Sequence, residues 1–313
     1  MFWFTEYIKI SLKAYFGGLI LEFLQFFISG LSLGSIYAII ALGYTMVYGI
    51  AKMLNFAHGD VIMVGGYLLF TVSTSMGLPV WIGITGAVVG CTALGVLIER
   101  LAYRPLRGAT SLAVLITAIG VSYLLQNLAL LIFGAAPKSF TSVVTMPAMT
   151  FADGALTVTG ESIVTIAICI VIMIVLTLFV NKTKPGRAMH AVSEDRGAAQ
   201  LMGVNVNATI ALTFAIGSAL AAIAGALLCS AYPTLTPYTG AMPGIKAFVA
   251  AVFGGIGSIP GAMVGGLLLG LIESLSKAYI SSEMADAIVF LVLIIVLVVK
   301  PTGIFGKKIS EKV

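Results

Sequence analysis

Charged residues are scarce in this sequence. Asp, Glu, Lys and Arg together make up 9% of the 313 residues, whereas hydrophobic residues make up 60%. A soluble domain carries about 25% charged residues. The deficit excludes a nucleic-acid-binding protein, a disordered scaffold and an ordinary cytosolic enzyme. Because the chain has more apolar surface than one core can bury, its solvent must be lipid.

Residues that support catalysis or metal binding are also few. His58 and His190 are the two histidines, which is too few ligands for a histidine-based metal site. Cys91, Cys169 and Cys229 lie in or at the edge of apolar runs, so we interpret them as small buried hydrophobic residues. The phosphate-binding pattern G-x-x-x-x-G-K-[ST] is absent. We therefore expect neither a catalytic constellation nor a cofactor, and no ATP binding of that kind.

Long apolar runs predict an all-α polytopic transmembrane bundle that forms a single domain over residues 1–313. About 20 residues of helix cross a hydrocarbon core about 30 Å thick. Open strand edges cannot be satisfied in lipid, and the alternating pattern of a β-barrel is absent. Clear candidate spans lie near 19–43, 61–77, 79–98, 110–133, 161–180, 208–231, 260–278 and 286–299.

Two weaker segments, 44–60 and 244–258, interrupt this pattern. The first carries Asn55, His58 and Asp60, and the second is rich in glycine. Irregular backbone at membrane depth is stable only where protein buries it or where it lines a water-filled cavity. A pair of interrupted segments, one in each half of the chain, is typical of a transport pathway. We therefore predict broken or short helices at both places, with ordinary loops as the alternative.

Basic residues indicate the orientation. They concentrate in three stretches, from Arg100 to Arg107, from Lys182 to Arg196, and from Lys300 to Lys312. The positive-inside rule places all three in the cytoplasm. Counting both weak segments as crossings gives ten crossings with every basic cluster inside, which is the favoured arrangement. Eight crossings, with the N-terminus outside and both weak segments re-entrant, is the alternative.

Few charged side chains fall inside the apolar runs. Glu273 and Lys277 are spaced i,i+4 with the acid first, so they can pair on one face of a helix. Lys52 and Lys246 are expected to extend to a membrane interface. A proton-coupled transporter would need a carboxylate at mid-span. The other acids in or beside the apolar runs fall near predicted span ends: Glu22, Glu99, Glu161 and Asp286.

The loop at 181–207 is the most polar stretch between spans. Gly203 is suited to the left-handed residue that follows a helix. We predict a short cytoplasmic helix at about 194–202 that docks into a groove on a partner, and a solvated linker helix is the alternative. The predicted N-cap of this helix is Ser193, and the acids favoured in its first turn are Glu194 and Asp195.

Five sequence motifs, in order, resemble one family over about residues 24 to 305. This family is the branched-chain amino-acid permeases of ABC importers, and the resemblance is closest to its H-type subunit. The motifs are GLSLGSIYAIIALG from Gly30, LNFAHGD from Leu54, ERLAYRPLR from Glu99, Gly186-Arg187-Ala188 with Ala198 to Gly203, and GGIGSIPG from Gly254.

The resemblance implies a bacterial inner-membrane subunit that is not itself an enzyme. It implies pairing with a second permease subunit, with an M-type heterodimer favoured. Two cytoplasmic ATPase subunits would bind the ATP, and an extracytoplasmic binding protein would deliver a branched-chain or related amino acid. A urea or short-amide permease of the same kind, or a secondary transporter that works alone, is the alternative.

The resemblance also implies which residues act. The translocation path of the family lies at a broken second helix, which corresponds here to 44–60, and the helix that docks on the ATPase corresponds to 190–203. The expected pathway residues are Asn55, His58, Gly59, Asp60, Gly255 and Gly257. The expected coupling residues are Ser193, Glu194, Asp195, Ala198 and Gly203.

Overall fold

The computed structural model describes residues 2–140, 142–151, 154 and 156–306, and side chains only from residue 18 onward. The basic tail beyond Lys300, with Lys307, Lys308 and Lys312, lies outside the described residues. The favoured cytoplasmic placement of that tail therefore stays a prediction.

The described residues form eleven α-helices and four very short strands. The strands form two antiparallel pairs, Lys138–Ser139 with Thr234–Leu235 and Met149–Phe151 with Leu156–Val158. The helices are α1 Phe2–Ala51, α2 His58–Phe70, α3 Val80–Ile98, α4 Ser111–Phe133, α5 Gly160–Lys182, α6 Lys184–Glu194, α7 Arg196–Leu201, α8 Val206–Ala231, α9 Ala241–Gly254, α10 Ile259–Tyr279 and α11 Ala285–Val299. The strands are β1 Lys138–Ser139, β2 Met149–Phe151, β3 Leu156–Val158 and β4 Thr234–Leu235.

The predicted all-α polytopic class is confirmed. Six helical stretches in the described part of the chain are long and apolar enough to cross a membrane. Two shorter apolar helices, α9 and α11, accompany them. The favoured count of ten crossings is not confirmed, because residues 44–51 form the last two turns of α1 and not a helix of their own. The six stretches are Gly18–Ala51, Val80–Leu106, Ser111–Phe133, Gly160–Lys182, Val206–Ala231 and Ile259–Tyr279.

The first weak segment contains a helix break and the second contains a short helix, as predicted. The first helix ends at Ala51 because Lys52 adopts a left-handed φ of +54°, and helical structure resumes only at His58. At the second interruption, α9 has 14 residues, so its length is about 21 Å and too short for the hydrocarbon core. Gly255 and Gly257 follow α9 with φ of +105° and +92°, values that favour glycine.

Glycines let α1 and α10 approach closely along their length. A Cβ on Gly34 would lie 2.7 Å from the Leu267 carbonyl oxygen, and a Cβ on Gly30 would lie 2.9 Å from the Ser274 Cβ. On α10, Gly266 packs against Ala38 and Gly270 packs against Gly34. The spacing of four residues between these glycines therefore serves backbone contact between the two helices.

The ends of several helices meet at one pole of the bundle, which we call the basic end. Arg107 contacts both Glu99, after α3, and Asn207, in the first turn of α8. Arg196 donates a hydrogen bond to the carbonyl of Ala51, the last residue of α1. The short strands lie at the opposite pole, between the outer ends of α4, α5 and α8.

Candidate functional site: the α1–α2 break and the basic end

Tyr103 holds the break between α1 and α2 in place. The π-helical turn Glu99–Tyr103 carries this tyrosine into the interior, where its hydroxyl donates to Asn55 Oδ1 at 2.9 Å. The ring packs on Phe214 of α8 with centroids 5.1 Å apart. Asn55 was predicted as a site residue, but its tyrosine partner was not. Tyr103 lies inside the motif ERLAYRPLR, but the motif alone does not indicate a contact with Asn55.

His58 begins α2 and is completely buried between helices. Its ring lies edge-on to Tyr44, with centroids 4.7 Å apart. Gly43 faces it so closely that a Cβ there would lie 2.5 Å from His58 Nε2. This Nε2 has no hydrogen-bond partner among the described residues. The histidine therefore fills a packing position inside the bundle and does not project into an open channel.

Asp60 lies two residues further along, in the first turn of α2, and its side chain is buried. Gln126 of α4 donates to Asp60 Oδ1 at 2.8 Å. Gln126 was missed as a site residue, although an amide in the middle of an apolar run is a visible signal. We call Asn55, His58, Asp60, Tyr103 and Gln126 the break cluster. Its hydrogen bonds tie the break and α2 to the end of α3 and to α4.

The N-terminal turns of the two short helices α2 and α9 contact each other through their backbones. A Cβ on Gly59 would lie 2.6 Å from the Gly240 carbonyl oxygen, and one on Gly244 would lie 2.8 Å from the Gly59 Cα. The structure therefore brings the two weak segments of the sequence together. Glycine is required at the contact because any side chain would separate the helices.

Gly255 and Gly257 lie away from these residues, at the far end of α9. Gly257 is beside Gly49 near the end of α1, and a Cβ on Gly255 would lie 2.5 Å from the Gly306 nitrogen. They form the turn between α9 and α10. The structure thus brings Asn55, His58, Gly59 and Asp60 together and leaves these two glycines apart from them.

The space around the break is small. Asn55, Tyr44, Tyr48 and Phe248 are among the residues that line a cavity of about 10 Å³ between α1 and α9. That volume holds about one water molecule. Of the predicted pathway residues, Asn55 therefore borders a space no larger than a water molecule in this conformation.

The polar loop contains two short helices in place of the single one predicted at about 194–202. Asp195, with an extended φ of −154°, separates α6 from α7, and its Oδ1 accepts from the Ala198 N–H at 2.9 Å. The prediction of Ser193 as N-cap is therefore wrong. Ser193 lies in the last turn of α6, where its hydroxyl donates to the His190 carbonyl at 2.7 Å, and Glu194 ends that helix. The first of these helices begins earlier because Thr183 caps it.

Gly203 ends α7 with a φ of +82°, which confirms the predicted left-handed position. The two residues before it, Leu201 and Met202, are 90% and 84% exposed. Ala199 is buried against the rest of the loop. Two large apolar side chains thus project from the basic end near its charged groups.

Arg196, the first residue of α7, connects this surface to the break. Its guanidinium donates to the Ala51 carbonyl immediately before the left-handed Lys52. Burial, together with the charge of Arg107, lowers the pKa of Arg196 from its usual value. A displacement of α7 would therefore pull directly on the end of α1.

A second polar cluster lies near the opposite pole, around Glu273 of α10. Glu273 is 1% exposed and accepts from the Tyr37 hydroxyl at 2.9 Å and from Lys277 Nζ at 2.6 Å. Lys246 of α9 lies 2.9 Å from Glu273 and 2.6 Å from Asp286 at the start of α11. We call these five residues the charge cluster.

The charge cluster confirms one prediction and corrects another. The i,i+4 pair of Glu273 and Lys277 forms as predicted. The prediction that Lys246 extends to an interface is wrong, because it is 6% exposed and bound to two carboxylates. Its position within α9 brings it between α10 and α11, where paired acids compensate the buried charge.

Comparison with known proteins identifies related sequences across nearly the whole chain. The profile of a family described as branched-chain amino acid transport system / permease component matches residues 26–297. The chain is similar to the high-affinity branched-chain amino acid transport system permease protein LivH of Escherichia coli (strain K12), with 47% identity over 94% of this chain and 98% of that protein.

Two further proteins are similar at different levels. The high-affinity branched-chain amino acid transport system permease protein BraD of Pseudomonas aeruginosa is 44% identical over 94% of this chain and 99% of its own length. A solved complex, PsaBC from Streptococcus pneumoniae with Fab, aligns with 92% of this chain and 94% of its own at 14% identity. Its TM-score of 0.42 is too low to support a common fold.

Proposed function

Because this chain belongs to the branched-chain amino acid transport permease family, we propose that it is the membrane permease subunit of an ATP-driven importer for branched-chain amino acids. The observation that carries the proposal is the similarity to LivH and BraD along almost the full length of both chains. The chain supplies the gated membrane passage, and separate subunits bind and hydrolyse the ATP. It works with a second permease subunit, two ATPase subunits and an extracytoplasmic binding protein.

The proposed docking surface for the ATPase is α7 with the exposed pair Leu201 and Met202. Apolar side chains that project from a polar surface are typical of a contact with another protein. Arg196 would transmit the movement of α7 to Ala51 and the break. The predicted coupling residues Ser193, Glu194, Asp195, Ala198 and Gly203 all lie in α6, α7 or the residues that flank them.

The proposed arrangement in the bacterial inner membrane has nine passes. With the basic end in the cytoplasm, α1, α3, α5, α9 and α11 run inward, and α2, α4, α8 and α10 run outward. Residues 232–240 together with the short α9 make one pass. The N-terminal end of α1 then faces the extracytoplasmic side, in contrast to the ten-crossing prediction.

Reconstitution tests this function. The complete complex in proteoliposomes should take up radiolabelled leucine only with ATP and binding protein, and omission of either the ATPase or this chain should abolish uptake. Uptake by this chain alone, driven by an ion gradient, would overturn the proposal in favour of a secondary transporter. Urea uptake in place of leucine uptake would reject the substrate class.

The docking surface is tested separately by subunit association. We expect L201S/M202S to weaken co-purification of the ATPase, whereas the neighbouring exposed variant Gln200→Ser should not. Gly203→Val should retain ATPase activity but lose transport, because valine disfavours the left-handed φ that ends α7. Normal assembly and transport in all three variants would reject this surface.

A further inference from the structure

An open recess of about 520 Å³ runs along the exposed side of α3. Ala93 lies midway along it, between Val89 and Leu97, and these three positions follow the i, i+4, i+8 spacing of one helix face. Val89 and Leu97 are large and more than half exposed, whereas the alanine side chain ends at Cβ. The surface is therefore notched between them. Its volume falls within the range of about 300–1,000 Å³ that is typical of small-molecule sites.

The recess is lined by apolar side chains as far as Arg100. Its lining residues between 88 and 97 are aliphatic except for Thr92. The Thr92 hydroxyl donates to the Val88 carbonyl at 2.6 Å, so the helix itself uses this donor. A polar ligand would lose its hydrogen bonds to water here without replacement, which is costly. The recess is therefore suited to an apolar chain.

The length and depth of the recess match one leaflet of a bilayer. From Val88 to Arg100 there are twelve residues, or about 18 Å of helix. One leaflet contributes about half of a hydrocarbon core that is about 30 Å thick. With the basic end placed in the cytoplasm as proposed above, Val88 lies near the middle of the membrane and Arg100 lies at the headgroups of the cytoplasmic leaflet.

Two arginines lie at the headgroup end of the recess. Arg100 lines it, and Arg104 follows four residues later, directly after the π-helical turn. Both are exposed, and in the described part of the chain neither forms an ion pair. Arg107, in contrast, is bound to Glu99. Two guanidinium groups are therefore available to a ligand, and this group binds phosphate through two parallel hydrogen bonds.

We propose that this recess and its two arginines bind an anionic phospholipid of the cytoplasmic leaflet. One acyl chain lies along the recess past Ala93, and Arg100 and Arg104 bind the phosphate. The aliphatic lining selects the hydrocarbon chain, and the unpaired positive charge selects an acidic headgroup over a zwitterionic one. The inference rests on the proposed orientation of the chain and does not depend on which solute is transported.

A lipid bound here also contacts the turn that supports the helix break. Tyr103 lies between the two arginines in sequence, and its hydroxyl donates to Asn55. A phosphate held by Arg100 and Arg104 restrains this turn from both sides. Anionic lipid should therefore stabilise the described position of the break, so phosphatidylglycerol should raise the unfolding temperature of the wild-type complex more than phosphatidylcholine does.

Native mass spectrometry of the purified complex tests the site, with dioleoyl phosphatidylglycerol and dioleoyl phosphatidylcholine as probes. R100Q/R104Q should weaken binding of phosphatidylglycerol roughly 25-fold, about fivefold for each lost charge. The matched control is K182Q/K184Q, which removes two exposed lysines from the same end of the bundle and should bind like the wild type. Unchanged binding in R100Q/R104Q, or equal weakening in both double variants, would overturn the inference.

Ala93→Leu tests the shape of the recess and leaves the charges in place. Leucine fills the notch, so binding of phosphatidylglycerol should weaken several-fold, whereas Ala167→Leu, at an exposed alanine of α5, should have no effect. A diazirine at the end of the acyl chain should crosslink to residues 88–97 of the wild-type chain and not of the A93L variant. Wild-type binding and crosslinking in A93L would contradict the proposed position of the acyl chain.

Other occupants of the recess give different results. If the arginines bind only free anions, inorganic phosphate competes with phosphatidylglycerol and A93L has no effect, which rejects the lipid. If the recess is a protein contact, A93L and R100Q/R104Q lose another subunit of the complex while lipid binding is unchanged, which also rejects it. Lipid binding is measured without solute, so a wild-type complex that binds phosphatidylglycerol at this site but does not import leucine would reject the proposed function alone.

Discussion

The break cluster and the charge cluster are two ways of keeping polar side chains inside one bundle. The break cluster contains two separate hydrogen bonds with uncharged donors, from Tyr103 to Asn55 and from Gln126 to Asp60. The charge cluster uses two lysines and two carboxylates that share partners, so their formal charges cancel. The first lies around the interruption of a helix, and the second joins α1, α9, α10 and α11.

This difference predicts which region moves. Removing one ion from the charge cluster leaves another ion buried without compensation, so its members must stay together. In the break cluster each hydrogen bond contributes about 1 kcal/mol and can be exchanged independently. His58 Nε2, without a partner in the described structure, adds no hydrogen bond that would oppose a shift. We therefore expect the break to rearrange during transport while the charge cluster anchors α9 to its neighbours.

Glu273→Leu should have the largest effect. It leaves Lys246 with a single carboxylate and Tyr37 with no acceptor, so the free energy of unfolding should fall by about 3–5 kcal/mol. Thermal unfolding of the complex in detergent micelles measures this. The double variant K246M/E273L should recover most of the loss because both buried charges are gone. A double variant no more stable than the single one would contradict the anchoring role.

Gln126→Leu should have the next largest effect. It removes the donor to buried Asp60, an expected loss of about 1–3 kcal/mol in the same unfolding assay. Asn127→Leu is the matched control, since it is one residue away on the exposed face and should leave stability unchanged. Equal destabilisation by both variants would mean that the two faces of α4 do not differ as described.

Tyr103→Phe should have a smaller effect. The ring can still pack on Phe214, so the variant loses only the hydrogen bond to Asn55, about 1 kcal/mol of the free energy of unfolding. Exposed Tyr123→Phe serves as control and should unfold at the wild-type temperature. If Y103F matched Glu273→Leu in severity, the contrast between the break cluster and the charge cluster would fail.

Lys277→Met should have the smallest effect. Its side chain is about two-fifths exposed, so water screens the ion pair and the loss should stay below about 1 kcal/mol. Lys246 is a buried member of the same cluster, so Lys246→Met should lower the free energy of unfolding several times more than Lys277→Met. Similar unfolding temperatures for the two variants would show that burial does not set the strength of these pairs.

Six of the eight clear predicted spans correspond to long apolar helices of the described structure, whereas 61–77 and 286–299 correspond to the shorter α2 and α11. The agreement is this good because span length and helix interruptions depend on local properties. Polar side chains marked the break after Ala51, and glycine content marked the segment that contains the short α9. The helix caps depend on more than local sequence, since Ser193 and Asp195 can both cap a helix. Asp195 caps α7 because Ser193 belongs to the preceding helix: α6 is capped at Thr183 and extends to Glu194. The number of crossings depended on whether 44–58 forms its own helix, which hydropathy does not determine.

The amino-acid sequence by itself determined that this chain resides in lipid, where its helices break and which end carries positive charge, because each depends on residues close together in the chain. Only the tertiary structure decided which polar groups meet. Lys246 with Asp286, Tyr103 with Asn55 and Gln126 with Asp60 are far apart in sequence. Their pairing follows from helix packing, since a buried polar group is stable only beside the partner that the fold brings to it.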